Sequence, residues 1–376
     1  MRRGDEGDQS IIDDIARTRS IVICCGSGGV GKTTTSAAIA LHAARLGRTA
    51  CVVTIDPARR LANSLGVDAL SNQPTRIAGP WPGELHALML DPKGTFDDLI
   101  GRYAGSDSQA EAIRSNRIYR NLTGTLSGTQ EYMAMEKLHE LVEEGGFDIV
   151  VVDTPPSRNA LDFLDAPRRL THFLDNRIFQ ALMAPTRMGL RVMGVAAQAL
   201  LRTLSRVAGA DIVTDAVGFF QALEGMEEGF RQRAARVRDL LAQTDTAFVL
   251  VASPRPDSID EAVHFAGKLN ESGMSATALI INRVQPRFAT DEHQDALAIH
   301  GGAVGHASPG GAVLADLIDN LAGYTAASVR EERAYADLVA EVAPAPVTRV
   351  PLLNTDVHDL AGLEMVADQL FPTQTT

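Results

Sequence analysis

The sequence predicts an α/β protein built on a doubly wound, mainly parallel sheet with an inserted helical subdomain. Three observations lead there: short β-branched runs alternate with longer helical patterns, several runs are apolar on both faces, and two long stretches show no strand. The strand candidates are Ile21–Cys25, Cys51–Ile55, Leu85–Leu90, Ile149–Val152, Phe248–Ala252, Ala278–Ile281 and Val347–Leu352. Runs that are apolar on both faces suit strands covered by helices on each side. Helical patterns fall between them, notably Lys32–Leu46, Gln130–Glu144, Ile259–Glu271 and Leu314–Ala343, and such alternation is the mark of a doubly wound sheet. Helical spacing alone governs about 104–127 and 167–242, the expected insertions. Residues 1–18 are expected to be an acidic N-terminal extension, with the domain over 19–376. Gly301–Gly311 has the composition of a loop.

Composition narrows the function classes. The chain has 376 residues, 45% hydrophobic and 22% charged, ordinary for a soluble protein and enough for one enlarged α/β domain. Its net charge of −12 argues against a general nucleic-acid binder, which needs a basic face toward phosphates. Met1–Ser20 has no apolar core, so no secretory signal is expected. The longest charge-free apolar stretch of helical character, Val192–Leu201, is well short of the roughly 20 residues of a membrane span. Cys24, Cys25 and Cys51 sit in apolar strand-like runs without a CxxC pair. They are expected to be buried reduced thiols in a cytoplasmic protein.

Chemistry concentrates at three strand ends. Gly26-Ser27-Gly28-Gly29-Val30-Gly31-Lys32-Thr33 matches G-x-x-x-x-G-K-[ST], directly after a strand and opening a helix. In that context the glycines let backbone N–H groups turn inward around phosphate oxygens, and the helix N-terminus adds partial positive charge. Lys32 is expected at the β- and γ-phosphates and the Thr33 hydroxyl at Mg²⁺, so ATP and Mg²⁺ are the expected cofactors. Asp153 ends the run Ile149–Val152, before Thr154-Pro155-Pro156. An acid at the tip of a buried strand is costly without a partner charge, and Mg²⁺ is the natural partner; a turn-capping Asp is the bland alternative. Asp56-Pro57-Ala58 ends the second run, on the sheet edge where α/β ligands bind. Asp56 is a candidate to orient or activate the attacking water, although Asp-Pro is also a common turn.

Together these motifs resemble the ArsA-type family of P-loop ATPases, the arsenite-pump and tail-anchored-protein-targeting enzymes with a deviant Walker A loop of the SIMIBI-like kind. Their phosphate loop reads K-G-G-V-G-K-T-T, and Gly28-Gly29-Val30-Gly31-Lys32-Thr33-Thr34 agrees. Asp56-Pro57-Ala58 matches their first switch, D-P-A, and Asp153-Thr154-Pro155-Pro156 their second, D-T-x-P. Gly128-Thr129-Gln130-Glu131 is similar to their P-G-x-D-E turn with the proline and aspartate lost. Asn282 is similar to the residue that reads adenine, and Pro351-Leu352-Leu353 looks like the loop over the base. The resemblance implies nucleotide contacts from Gly28 to Thr34 and from Asn282, Pro351 and Leu352. It also implies metal ligands Thr33 and Asp153, and catalytic roles for Lys32 and Asp56. It implies a homodimer, or a heterodimer with a related ATPase, closing over ATP. Helical elements would then offer a groove to a hydrophobic client helix or membrane protein.

The chain departs from that pattern in places. The family's extra lysine, which contacts phosphates across the dimer, falls at Ser27, and its G-H-T continuation reads Arg158-Asn159-Ala160. No cysteine follows Cys51, so a zinc-stapled dimer is not expected, and His293, His300 and His306 are too irregularly spaced to replace it. Arsenite pumping is not expected either, since a metalloid needs soft thiolates grouped outside the core. Within 167–242, Leu190, Met193, Ala197, Leu200, Leu201 and Leu204 form one helical stripe opposite Arg187, Arg191, Gln198, Arg202 and Arg206, with Met183 and Met188 nearby. Two readings stand: the stripe closes the protein's own core, or it covers a client helix or membrane surface. The function expected is a magnesium-dependent ATPase acting as a dimeric switch. The alternatives are a partitioning or positioning ATPase, disfavoured by Ser27 and the long insertion, and a nucleotide-binding scaffold with little hydrolysis.

Overall fold

The computed structural model describes residues 12–56, 58–117, 119–120, 129–155, 165–166, 168–169, 171–172, 175, 210–286 and 309–372. Its strands are β1 (Ile21–Cys25), β2 (Thr49–Thr54), β3 (Thr75–Ile77), β4 (Glu84–Met89), β5 (Ile149–Asp153), β6 (Thr246–Ala252), β7 (Ala278–Val284) and β8 (Val347–Pro351). They form one sheet in the order β3-β4-β2-β5-β1-β6-β7-β8. Every neighbouring pair is parallel except β3–β4. The doubly wound α/β fold is therefore present.

The side-chain alternation of each strand divides two cores. Val22 and Cys24 of β1, Ala50 and Val52 of β2, and Val249 and Val251 of β6 face one core. Ile23 and Cys25, Cys51 and Val53, and Phe248 and Leu250 face the other. This period of two makes a strand read as uniformly apolar when both faces are covered. The first core is closed by α1 (residues 12–18), α2 (Lys32–Arg45), α3 (Arg60–Ser64) and α12 (Leu360–Leu370). In α2, Ala37, Ala38, Ala40, Ala43 and Ala44 are all buried, and small side chains let this helix lie close against the sheet, over β2 and β5. The second core is closed by α6 (Thr129–Glu143), α8 (Glu227–Ala242), α9 (Pro256–Glu271) and α11 (Ala336–Glu341), the last preceded by α10 (Pro309–Ala334).

A third apolar cluster sits among helices alone. It joins α4 (Pro92–Tyr103), α5 (Asp107–Ser115), α7 (Ala210–Ala222) and the first turns of α6 and α8. Both α6 and α8 run through two clusters: Tyr132 and Met133 lie among helices, Leu138 and Leu141 on the sheet. Where the clusters meet, Arg233 Nε donates to Glu136 Oε2 at 2.7 Å, both side chains nearly fully buried. The Tyr132 hydroxyl also donates to Glu136. Burial still raises the Glu136 carboxyl above its ordinary pKa, with Tyr132 and Arg233 opposing.

Several boundaries differ from the sequence reading. The edge strand β3 was not expected; it is short and antiparallel, and Ile77 is its one apolar residue. Residues 12–18, expected as part of a polar extension, are helical, and Ile12, Ile15 and Ala16 are buried in the first core. The spacing of these three is helical, but Asp13 and Asp14 between them and Arg17 after them lower the average hydropathy. Their charges are used: Asp13 Oδ1 meets His42 Nε2 at 2.6 Å. The single helix expected over Leu314–Ala343 is two, α10 and α11, broken at Tyr335, whose ring turns into the second core. Within the two expected helical stretches, α5, α7 and α8 are helices, while the stripe from Arg187 to Arg206 lies outside the described residues. No helix among the described residues is long and apolar enough to cross a membrane.

If α1 belongs to the core, Ile15→Ala should lower the unfolding free energy by about 2–5 kcal/mol in denaturant titration. An unchanged midpoint would return residues 12–18 to the status of an appendage.

Candidate functional site

β1 lies at the centre of the sheet, between β5 and β6, where the chain switches from one side of the sheet to the other. Ligands of open α/β sheets bind beyond the carboxyl ends of strands at such a switch point, and the glycine-rich loop leaves β1 there. At Gly26 (φ 154°) a Cβ would stand 2.0 Å from the Val251 carbonyl oxygen. At Gly31 (φ 96°) a Cβ would stand 2.2 Å from Asn282 Nδ2. Gly31 is also the N-cap of α2 and makes no side-chain cap, and the first turn carries no acid. The N–H groups of Lys32, Thr33 and Thr34 therefore open the helix without a capping acceptor, a site suited to an anion.

Lys32 is nearly buried and folds back under the loop, with Nζ donating to the Gly26 oxygen at 3.0 Å and the Ser27 oxygen at 2.8 Å. Burial lowers its pKa, and the Asp153 charge opposes that shift. Register places Cys24 and Thr54 opposite Asp153. Asp153 Oδ2 accepts from Thr33 Oγ1 at 2.7 Å and from Thr54 Oγ1 at 2.9 Å. Its Oδ1 has no partner among the described residues, although Asp153 is only 1% exposed. Burial raises the Asp153 carboxyl above its ordinary pKa; Thr33, Thr54 and Lys32 pull it back. A buried carboxylate oxygen without a donor, beside a threonine hydroxyl, fits a hard divalent cation with oxygen ligands such as Mg²⁺.

Asp56 follows the tip of β2. Its N–H donates to Thr54 Oγ1 at 3.3 Å and its Oδ1 accepts from the Ala58 N–H at 2.9 Å. Its Oδ2 stands 3.6 Å from Arg60 Nη1. The Thr54 hydroxyl thus touches both carboxylate segments. Asn282 Nδ2 donates to the Val30 oxygen at 2.7 Å, and its Oδ1 accepts from the Arg283 N–H at 2.9 Å. Pro351 ends β8 beside β7, and Leu352 is 47% exposed with its N–H on the Val284 oxygen at 2.9 Å. Every predicted site residue thus lies at the carboxyl edge of the sheet, and Lys32, Thr33 and Asp153 converge.

The sequence reading missed Thr54, two residues ahead of the Asp56-Pro57-Ala58 motif; only sheet register links it to Asp153. It also missed Arg283, whose Nη1 donates to the Gly29 oxygen at 2.9 Å. Ser27, where the family pattern has a lysine, is buried, and its hydroxyl donates to Ser258 Oγ at 3.0 Å. Ser258 Oγ also accepts from the Ser253 N–H at 3.0 Å. The three cysteines are free and buried, and burial pushes the Cys24 and Cys51 thiols up to about 12, so they are inert at neutral pH. No group of three or more His, Cys, Asp or Glu among the described residues is placed to hold a metal. His293, His300, His306, Gly128, Pro156 and Arg158-Asn159-Ala160 lie outside the described residues.

A family model described as anion-transporting ATPase matches residues 19–298, most of the chain. The chain belongs to this family. Among its relatives, the ATPase GET3 of Malassezia globosa is 25% identical over 282 residues, 74% of this chain and 78% of that protein. A protein of Aquifex aeolicus with the provisional name arsenical pump-driving ATPase 1 is 24% identical over 362 residues, 93% of this chain and 78% of its own. The uncharacterized protein SCO2128 of Streptomyces coelicolor is 30% identical over 266 residues, 70% of this chain and 62% of that protein.

The electrostatics of Asp153 give a signed prediction. Its folded-state pKa lies above the unfolded value, so its contribution to stability is greatest below the unfolded pKa and falls as pH rises through the folded one. At neutral pH the ionised carboxylate is a net cost to the folded chain on its own. Asp153→Asn should therefore raise the thermal midpoint without nucleotide, by roughly 1–2 °C for each kcal/mol of cost relieved in a chain of this length, and should abolish any further rise with MgATP. A lower midpoint without nucleotide would contradict this electrostatic account.

Proposed function

We propose that this protein hydrolyses ATP with Mg²⁺ in the cytoplasm and works as a dimeric switch coupled to a hydrophobic client or membrane-protein partner. The observation that carries the proposal is the convergence of Lys32, Thr33 and the unpartnered Asp153 oxygen beneath an uncapped helix start. The amides from Gly28 to Thr34 would receive the β- and γ-phosphates. Lys32 would exchange two loop carbonyls for phosphate oxygens, trading neutral acceptors for charged ones. Thr33 and Asp153 would hold Mg²⁺, which when bound neutralises phosphate charge. Asp56, one strand away, would orient the attacking water, with Arg60 giving up its 3.6 Å approach as the segment adjusts. Asn282, Pro351 and Leu352 would lie on the base side.

The dimer and the client come from the family resemblance. The client reading also has local support: Val313, Leu317 and Tyr324, each more than half exposed, share one face of α10 at spacings of four and seven. A second reading, a nucleotide-binding scaffold with little hydrolysis, is favoured by Ser27. Its hydroxyl is turned toward Ser258 and it brings no cation to the phosphates. The acidic net charge supports a role without nucleic acid.

Steady-state phosphate release separates these readings. A working ATPase should show magnesium-dependent turnover that Lys32→Ala lowers by about 10²–10³-fold, the usual cost of a lost charge-stabilising group. Turnover undiminished in Lys32→Ala would defeat the assignment. Tight nucleotide binding without turnover, alone or with a partner, would favour the scaffold.

A further inference from the structure

We infer that Asn282 and Arg283 form a clamp on the outer side of the phosphate loop, acting as positioning residues for the amides that would hold phosphate. The inference rests on the nucleotide reading of the loop and adds to it a device outside the G-x-x-x-x-G-K-[ST] motif. From the end of β7, Arg283 Nη1 donates to the Gly29 oxygen at 2.9 Å and Asn282 Nδ2 donates to the Val30 oxygen at 2.7 Å. The two acceptors are consecutive carbonyls of the loop.

Peptide planarity turns these bonds into an orientation. In a trans peptide the C=O and the following N–H point in opposite directions. The Gly29 carbonyl shares its plane with the Val30 N–H, and the Val30 carbonyl with the Gly31 N–H. Pinning both oxygens against β7 therefore turns both N–H groups to the opposite side of the loop. None of the hydrogen bonds among the described residues uses the Val30 or Gly31 N–H. The clamp is tight: the Gly31 position leaves no room for a Cβ beside Asn282 Nδ2.

The backbone of Arg283 supports a role beyond packing. Its φ is 63°, and it is the one non-glycine residue with positive φ among the described residues. The β7–β8 register shifts at this point, between Asn282 and Val284. A residue other than glycine is strained there, and glycine would hold the turn at lower cost. Arginine in its place supplies a guanidinium that reaches the phosphate loop. Asn282 is held at both ends, one of its N–H groups on the Val30 oxygen and its oxygen on the Arg283 N–H. As placed, its amide organises the cradle while keeping one N–H and one oxygen lone pair free to meet a base.

Three variants test this. Arg283→Gly relieves the backbone while removing the guanidinium. It should keep or raise the thermal midpoint yet weaken binding of both MgATP and magnesium tripolyphosphate about tenfold, the cost of one charge-assisted hydrogen bond. Arg283→Lys, which restores a cationic donor, should recover most of the affinity. Asn282→Ala should weaken tripolyphosphate as well as ATP, because tripolyphosphate has no base and can lose affinity only through the cradle. Binding by Arg283→Gly equal to wild type would overturn the clamp, as would an Asn282→Ala variant that loses ATP affinity alone. A wild-type chain that bound neither ligand would instead overturn the nucleotide reading, and the clamp with it.

Discussion

A carboxylate that is 1% exposed, with one oxygen on two threonine hydroxyls and the other without a donor, is costly to keep in a folded chain. The neighbourhood of Asp153 is organised around that cost. Lys32 approaches from the loop after β1, Thr33 from the first turn of α2 and Thr54 from the end of β2. Each lowers the penalty of the charge, yet burial still dominates. Lys32 is in the complementary position: its ammonium is desolvated and rests on two carbonyls. Two buried opposite charges, neither fully satisfied by protein, give a site whose energy falls when an anion and a cation arrive together.

The sheet makes this arrangement possible. Parallel register aligns Cys24 and Thr54 with Asp153, so three strand ends finish at one level. The apolar strands on either side supply the two cores that keep the ends fixed. The phosphate loop is then tied on several sides: by Gly26 against the Val251 carbonyl, by Ser27 to Ser258, and by Asn282 and Arg283 to the loop carbonyls. The sequence carries no cation at Ser27, and its buried hydroxyl gives that position an inward, structural contact. The chain thus keeps the glycine-rich loop on which a phosphate cradle is proposed, while reading differently at a position that the family resemblance links to the partner subunit.

Much of this was legible in the sequence, for local reasons. A glycine-rich loop between an apolar strand and a helix, and acids at the tips of two other strands, are short patterns whose geometry follows from the chain itself. Strands covered on both faces read as apolar runs, so the central sheet was recoverable. What escaped depends on contacts distant in sequence. Thr54 is tied to Asp153 only through sheet pairing, and Arg283 to Gly29 across 254 positions. Edge strand β3 is too short to show a period. Residues 12–18 carry three apolar positions among charges, and only packing against α2 reveals their role. The break at Tyr335 is set by where its ring is buried, which helical spacing does not encode.

The most direct measurement is a calorimetric titration of the full chain with ATP, run with magnesium and again with the metal chelated. The account predicts saturable binding at one site per chain, with affinity lost by at least about tenfold when magnesium is removed, since the lone Asp153 oxygen would then face phosphate charge uncompensated. Absence of saturable binding to folded protein, or equal affinity with and without the metal, would contradict it.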